Sequence, residues 1–407
     1  MSPMTRCTMD MGPSANDSKC ELTLAEADGN FCASHSFRHR HMGTWSLPMH
    51  PAVLRLFCLG FEGPTVPPRI CRWIESGLGG VILFRRNLHD PDQIKQLTAS
   101  LAASASAPLL IGVDQEGGRV CRLPEPFLHP PAAGSLGLLD DPEIVRRLCR
   151  AMGAELRAVG INWNLAPVLD LWTNPANAVI GDRAFGRDPE RVGRLGLAAI
   201  SGLQAAGILP TAKHFPGHGE TVADSHLMLP VSPQSPERWR STEFLPFGQA
   251  VSAGVPMVMV AHLLCPALDP SAPSSLSRPI VSGILREELG FQGVVVSDDL
   301  EMQAITSTLG IGEAAVRFLE AGGDLILICE REERQLTAIT AVEQALASGR
   351  ITASRLDASL ERIARLSQWC HDSPSTVQEG AIGSPAHRHL LAEVRAAIAE
   401  RQHPQHA

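Results

Sequence analysis

Eight short runs of aliphatic and β-branched residues, each followed by a longer segment of helical period, constrain this chain more than any other feature. The runs are LRLFCLGF from Leu54, GGVILF from Gly79, PLLIGVD from Pro108, INWNLAPVLD from Ile161, ILPTAKHF from Ile208, VPMVMVAH from Val255, GVVVSDD from Gly293 and DLILIC from Asp324. Continuous apolar runs suit strands covered on both faces. Between them, segments such as DPDQIKQLTASLAAS, PEIVRRLCRAMGAELRAVG and ERVGRLGLAAISGLQAAG repeat apolar residues every three to four positions, as helices do. This alternation predicts parallel β/α units. Eight units over about 300 residues fit a closed (β/α)8 barrel, although an open doubly wound sheet would use the same local pattern.

The strand ends favour the closed form. Asp114 and Glu116 follow the third run, Asp170 ends the fourth, Lys213 and His214 lie near the end of the fifth, His262 ends the sixth, and Asp298 and Asp299 end the seventh. In a barrel all these ends converge on one mouth, whereas in an open sheet only those near a switch point meet.

Composition removes several kinds of function. With 35 Lys and Arg against 43 Asp and Glu, a net charge of −8 and no basic run, the chain has no electrostatic footprint for nucleic acid or an anionic membrane surface. No uninterrupted apolar stretch is long enough to span a bilayer, and the N-terminal MSPMTRCTMDMGPSANDSK lacks a secretory apolar run, so a cytoplasmic location is expected. The ten cysteines are scattered without a C-x-x-C pair and read as small buried hydrophobes in a reducing compartment. The first fifty or so residues, rich in His, Ser, Met and Arg, lack sustained periodicity, so residues 1–52 are expected to be a disordered extension. The barrel is expected over 53–370, and a helical segment with a polar tail over 371–407.

The segment KHFPGHGETVADSH, from Lys213 to His226, cannot be regular helix or strand, because Pro216 removes a backbone donor and Gly217 and Gly219 favour sharp turns. It therefore presents polar side chains rather than packing them. His214, His218, Asp224 and His226 offer nitrogen and oxygen ligands to a metal, but a zinc pair spaced H-x-x-x-H needs a helix that these residues oppose. The alternative is an Asp224–His226 dyad, in which the carboxylate orients the imidazole for proton transfer. The chain has no tyrosine, no G-x-S-x-G elbow, no Walker loop and no G-x-G-x-x-G after a strand. Carboxylates and histidines are left to carry chemistry.

KHFPGHG with DSH, the preceding DQEGGRVCR and the later FQGVVVSDDLEM together resemble the family-three glycoside hydrolases, specifically their bacterial N-acetyl-β-glucosaminidase branch. The likeness runs in order from about Leu54 to about Trp369. It implies a (β/α)8 barrel that removes terminal N-acetylglucosamine with retention of configuration, commonly from muropeptides during cell-wall recycling, and that needs no cofactor or metal. Neighbouring strand residues point to opposite faces, so periodicity leaves Asp298 and Asp299 as alternatives. The family pattern makes Asp298 the nucleophile, with Asp299 a strand-end hydrogen bonder.

By the same resemblance His226 is the general acid/base, oriented by Asp224, and Asp114, Arg122, Arg183, Lys213 and His214 bind the sugar. A histidine departs from the second carboxylate that most retaining glycosidases use, and a neutral base keeps phosphorolysis open as an alternative to hydrolysis. A non-catalytic sugar-binding barrel is the other class. His218, Glu220 and Glu116 receive no role beyond bracing the loops, and Trp163 and Trp172 are expected to pack rather than stack on sugar. The β-glucosidase relatives typically add a second domain, whereas after Trp369 only SPAHRHLLAEVRAAIAE and a polar tail follow, which points to a single-domain member of the aminosugar branch; a monomer is expected.

Overall fold

The computed structural model describes residues 50–221, 225, 228–372 and 380–402. Most of the expected extension, together with Asp224 and His226, lies outside these residues. All eight expected strands are present: β1 (Phe57–Leu59), β2 (Gly80–Leu83), β3 (Leu110–Val113), β4 (Trp163–Asn164), β5 (Leu209–Phe215), β6 (Met257–Val260), β7 (Val294–Ser297) and β8 (Ile326–Ile328). They are shorter than the apolar runs that announce them. The fourth run is cut most, since Pro167 cannot donate to a ladder, and it regains pairing at a bridge between Val168 and Lys213.

All pairings are parallel, in the order β7-β6-β5-β4-β3-β2-β1-β8. The two ends of that order meet. Val296 bridges Leu325, and the Ser297 amide donates to the Leu325 carbonyl at 3.0 Å, so the sheet closes into a barrel.

Helices follow the strands in turn: α1 (Pro68–Glu75), α2 (Pro91–Ala103), α3 (Pro142–Ala158), α4 (Pro189–Ala205), α5 (Phe244–Ser252), α6 (Pro279–Glu288), α7 (Ile311–Ala321) and α8 (Glu332–Ala347), with α9 (Ala353–Asp372) and α10 (Pro385–Gln402) completing the described chain. Three of them start the same way. Asp90, Asp141 and Asp188 each precede a proline in the first turn, and each carboxylate accepts from backbone amides of that turn, for example Asp141 from Glu143 at 2.9 Å. Proline at this position lacks only an amide that would be unpaired anyway, and such a cap is worth about 1 kcal/mol.

Inside the barrel, Gly112 faces the ring of Trp163 so closely that a Cβ there would lie 2.6 Å from it. The indole is fully buried and donates to Thr211 Oγ1 at 2.7 Å, so Trp163 is a packing residue. At the opposite end from the mouth, buried Asp324 joins β8 to α6 and α9 through Arg286, Arg355 at 3.3 Å, Arg362 at 3.2 Å and Ser359 at 2.7 Å. Helix α10 buries Leu390, Val394 and Ile398, one face at four-residue spacing, and His387, in its first turn, bonds buried Glu155 of α3 at 2.7 Å. Among the described residues no helix is long and apolar enough to cross a membrane.

Candidate active site

A cavity of about 580 Å³ opens at the C-terminal ends of the strands, a volume in the range of small-molecule sites. Asp114, Arg122, Arg183, Lys213, His214 and Asp298 all line it, so six of the eight residues singled out from the sequence converge there. The other two, Asp224 and His226, lie outside the described residues. Ser225, which separates them in sequence, is buried against the cavity, and its carbonyl accepts from the Ala304 amide at 3.1 Å.

The floor is a charge network. Lys213, at the end of β5 and almost fully buried, places Nζ 2.7 Å from Asp114 and 2.6 Å from Glu116. Glu116 also accepts a two-pronged contact from Arg183, at 2.8 Å from Nε and 2.7 Å from Nη2. Burial alone would push the Glu116 carboxyl up; Lys213 and Arg183 overcome it and hold the group well below the usual carboxylate range. Burial would likewise lower the Lys213 ammonium, and Asp114 and Glu116 raise it instead. Arg183 is largely engaged inside the protein, since Nη1 donates to the Val179 carbonyl at 3.1 Å and Nη2 also faces His214 Nε2 at 3.4 Å. Arg122 is freer: its Nη2 lies 3.9 Å from Asp114, and its Nε has no hydrogen-bond partner among the described residues.

Gly117 and Gly118, at φ 112° and 54°, turn the chain between Glu116 and Arg122, and a Cβ on Gly118 would collide with Ala132. That turn returns Arg122 to the cavity that Asp114 enters.

A second network holds the β5 loop. Asp170, fully buried, takes His214 Nδ1 at 2.7 Å and the backbone amide of His218 at 2.7 Å. Burial would raise its carboxyl, but His214 and His218 hold it below its ordinary value. His218 bonds Thr221 Oγ1 at 2.7 Å and faces Ser225 Oγ at 3.4 Å, and burial lowers its imidazole.

The two neighbouring aspartates after β7 both line the cavity but sit in different surroundings. Against the upward push of burial, His214, His262 and the Asp299 amide, which donates to it at 2.8 Å, hold the Asp298 carboxyl below its usual range. Asp299 is pushed up to about 7, chiefly by burial and further by Glu301 and Asp298, although the amides of Glu301 (3.0 Å) and Cys329 (3.3 Å) donate to it. At neutral pH the site thus offers one ionised carboxylate beside one poised to hold a proton, an arrangement suited to attack on an electrophilic carbon.

The profile of the glycosyl hydrolase family 3 N-terminal domain matches residues 72–366. The chain belongs to glycosyl hydrolase family 3. Two β-hexosaminidases are similar to it: that of Nitrosomonas eutropha is 41% identical over 272 residues, 65% of this chain and 78% of that protein, and that of Thiobacillus denitrificans is 44% identical over 262 residues, covering 63% and 72%. Among solved structures, a family 3 β-N-acetylglucosaminidase from a Paenibacillus species superposes with a TM-score of 0.82 at 42% identity, over 86% of this chain and 69% of that one. A β-glucoside phosphorylase superposes with a TM-score of 0.77 at 26% identity, over 86% of this chain and 65% of that one.

Sequence reasoning left Glu116 and Asp170 without a role, yet each is the hub of a network in this family 3 site. The signal for Glu116 was its place two residues after Asp114, and that for Asp170 was its place at a strand end facing the same mouth. Trp172 is half-buried, packs on Val168, Ile180 and Ala184, and carries the Arg187 guanidinium 5.6 Å above its ring.

Proposed function

We propose that this family 3 enzyme is a retaining exo-β-N-acetylglucosaminidase that removes terminal N-acetylglucosamine. The observation that carries the reading is the convergence of Asp298, Asp114, Arg122, Lys213 and His214 on one cavity at the barrel mouth, in a chain whose relatives bear the name β-hexosaminidase. Asp298 attacks the anomeric carbon and forms a covalent glycosyl-enzyme. Its ionised state suits that role, and the cations around it offset the charge that moves during attack and release. His226, oriented by Asp224, protonates the leaving oxygen and then activates water. The order Asp224, Ser225, His226 supports this, with Ser225 buried against the same cavity.

Lys213 and Asp114 form a donor and an acceptor 2.7 Å apart, a pair that suits adjacent sugar hydroxyls, and Arg122 adds a planar donor fork. Arg183, which lines the same cavity, fixes Glu116, faces His214 and adds a further donor toward the sugar. Terminal N-acetylglucosamine of peptidoglycan-derived muropeptides, met in the cytoplasm by a monomeric enzyme, is the substrate class that fits this branch.

The test is kinetics on 4-nitrophenyl N-acetyl-β-glucosaminide beside the matching β-glucoside, for the wild type and Asp298→Ala, with the first-formed anomer followed by NMR. Preference for the acetamido sugar, a β-configured first product and an inactive variant are expected. Equal rates on the two sugars would remove the aminosugar assignment, and an α-configured product or an active Asp298→Ala would remove the mechanism. The likeness to a β-glucoside phosphorylase supports a second reading, phosphorolysis with the same residues. Release of sugar 1-phosphate only when phosphate is added would establish it.

A further inference from the structure

We infer that Asp170 is a positioning residue that fixes the tautomer of His214: it holds the ring proton on Nδ1, so that Nε2 presents a lone pair to the cavity and accepts a hydroxyl hydrogen of the bound sugar. The inference rests on the sugar-binding reading of the cavity. Two independent partners select the same tautomer. On one side, the Asp170 carboxylate lies 2.7 Å from Nδ1 and is also approached by the backbone amides of His214, at 3.3 Å, and His218, at 2.7 Å. Three donors converge on a fully buried group, and hydrogen bonds of this kind favour the ionised carboxylate, which can only accept. Nδ1 must therefore donate.

On the other side, the group facing Nε2 is Arg183 Nη2 at 3.4 Å. A guanidinium has donors and no acceptor. Nε2 must therefore be the acceptor, and Glu116 prevents Arg183 from turning away by gripping it through two nitrogens. The 3.4 Å contact is at the long end of hydrogen bonding, which leaves the Nε2 lone pair available to a stronger donor. A sugar hydroxyl that gives its hydrogen to Nε2 can accept from Arg183 or Lys213 in return, so the histidine sets the orientation of that hydroxyl. A carboxylate bonded to one ring nitrogen sets the tautomer of a histidine in this way elsewhere.

The first test needs no variant of Asp170. In protein carrying ¹⁵N-histidine at neutral pH, the His214 signals, assigned by their loss in His214→Gln, should show a protonated Nδ1 and an unprotonated Nε2. A protonated Nε2 or a rapidly averaged ring would overturn the inference. The second test is Asp170→Asn, whose side-chain amide can donate to Nδ1 and drive the proton to Nε2. The NMR signature should switch, and KM for 4-nitrophenyl N-acetyl-β-glucosaminide should rise about tenfold, the effect of one hydrogen bond, with a smaller change in kcat. In a His214→Ala background the same substitution should change KM less than about twofold. An equal loss in both backgrounds would mean that Asp170 only braces the loop, and would refute the assignment. Absence of turnover on this substrate in the wild type would count against the proposed function, while the NMR arm would still decide the tautomer.

Discussion

Replacing Glu116 by Gln separates the charge of the hub from its shape. The side chain is 7% exposed and lies between Lys213, 2% exposed, and Arg183, 14% exposed. Glutamine keeps the volume and one acceptor oxygen, but its NH₂ then faces a cation, and Lys213 is left with Asp114 as its charged partner. Removing one member of a buried ion pair costs about 3–5 kcal/mol, because the remaining charge stays desolvated. Two cations lose a partner here, which places the expected loss toward the upper part of that range. The nearby cavity admits water, which works in the opposite direction.

The pH dependence gives the sign. Glu116 has a folded-state pKa depressed below its unfolded value of 4.5, so its contribution is fully present above about 4.5 and fades as pH falls toward the folded value. Urea unfolding of the wild type and Glu116→Gln should therefore differ by several kcal/mol at pH 7 and progressively less below pH 4.5. A difference under about 1 kcal/mol at pH 7, or one that stays constant down to pH 3, would show that Glu116 is not the electrostatic centre of the floor.

Three further substitutions probe other parts of the molecule. Asp299 is raised to about 7, so the folded state keeps a proton that the unfolded chain releases near 3.8, and stability falls as pH rises between those values. Asp299→Asn should remove that slope and be more stable than the wild type above pH 7 by up to about 4 kcal/mol in chemical denaturation, with the two proteins close together near pH 4. Asp324→Ala, which strands Arg286, Arg355 and Arg362, should lower the unfolding free energy by about 3–5 kcal/mol without changing KM, as urea melts and steady-state kinetics can show. Gly112→Ala should cost about 1–3 kcal/mol, read from the urea midpoint, because the new methyl meets the Trp163 ring at 2.6 Å.

The fold was legible because each strand of a (β/α)8 barrel is covered on both faces and so appears as an apolar run, and because each helix between them shows a single buried stripe. Strand lengths were less legible. An apolar run continues through residues that pair only irregularly, as at Leu165 to Leu169 after β4, all buried and outside the strand, where pairing resumes at the bridge between Val168 and Lys213. In the site, ionisable residues at strand ends revealed their position but not their partners. Glu116 and Asp170 bind other protein groups, and nothing in a linear sequence records that Lys213 and Arg183 close on one of them while His214 and His218 close on the other. The choice between Asp298 and Asp299 was of the same kind, since both side chains reach the cavity and alternation along a strand does not separate them.

What separates them is the set of groups around each. Around Asp298 stand the basic residues His214 and Lys213 of β5 and His262 at the end of β6, and it takes a donated hydrogen bond from the next residue's amide. Asp299 has carboxylates nearby instead, Glu301 and Asp298, and two backbone amides that compensate only in part. The two carboxyls also interact with each other, so the ionisation of one favours the proton on the other. In the mechanism proposed above, a second anion within the same pocket would repel negative charge returning to Asp298 at breakdown of the glycosyl-enzyme, and a protonated Asp299 avoids that. Loss of activity above pH 7 in the wild type, absent from Asp299→Asn, is the behaviour this arrangement requires. If both proteins decline along the same alkaline limb, the limb belongs to another group, and Asp299 serves the fold alone.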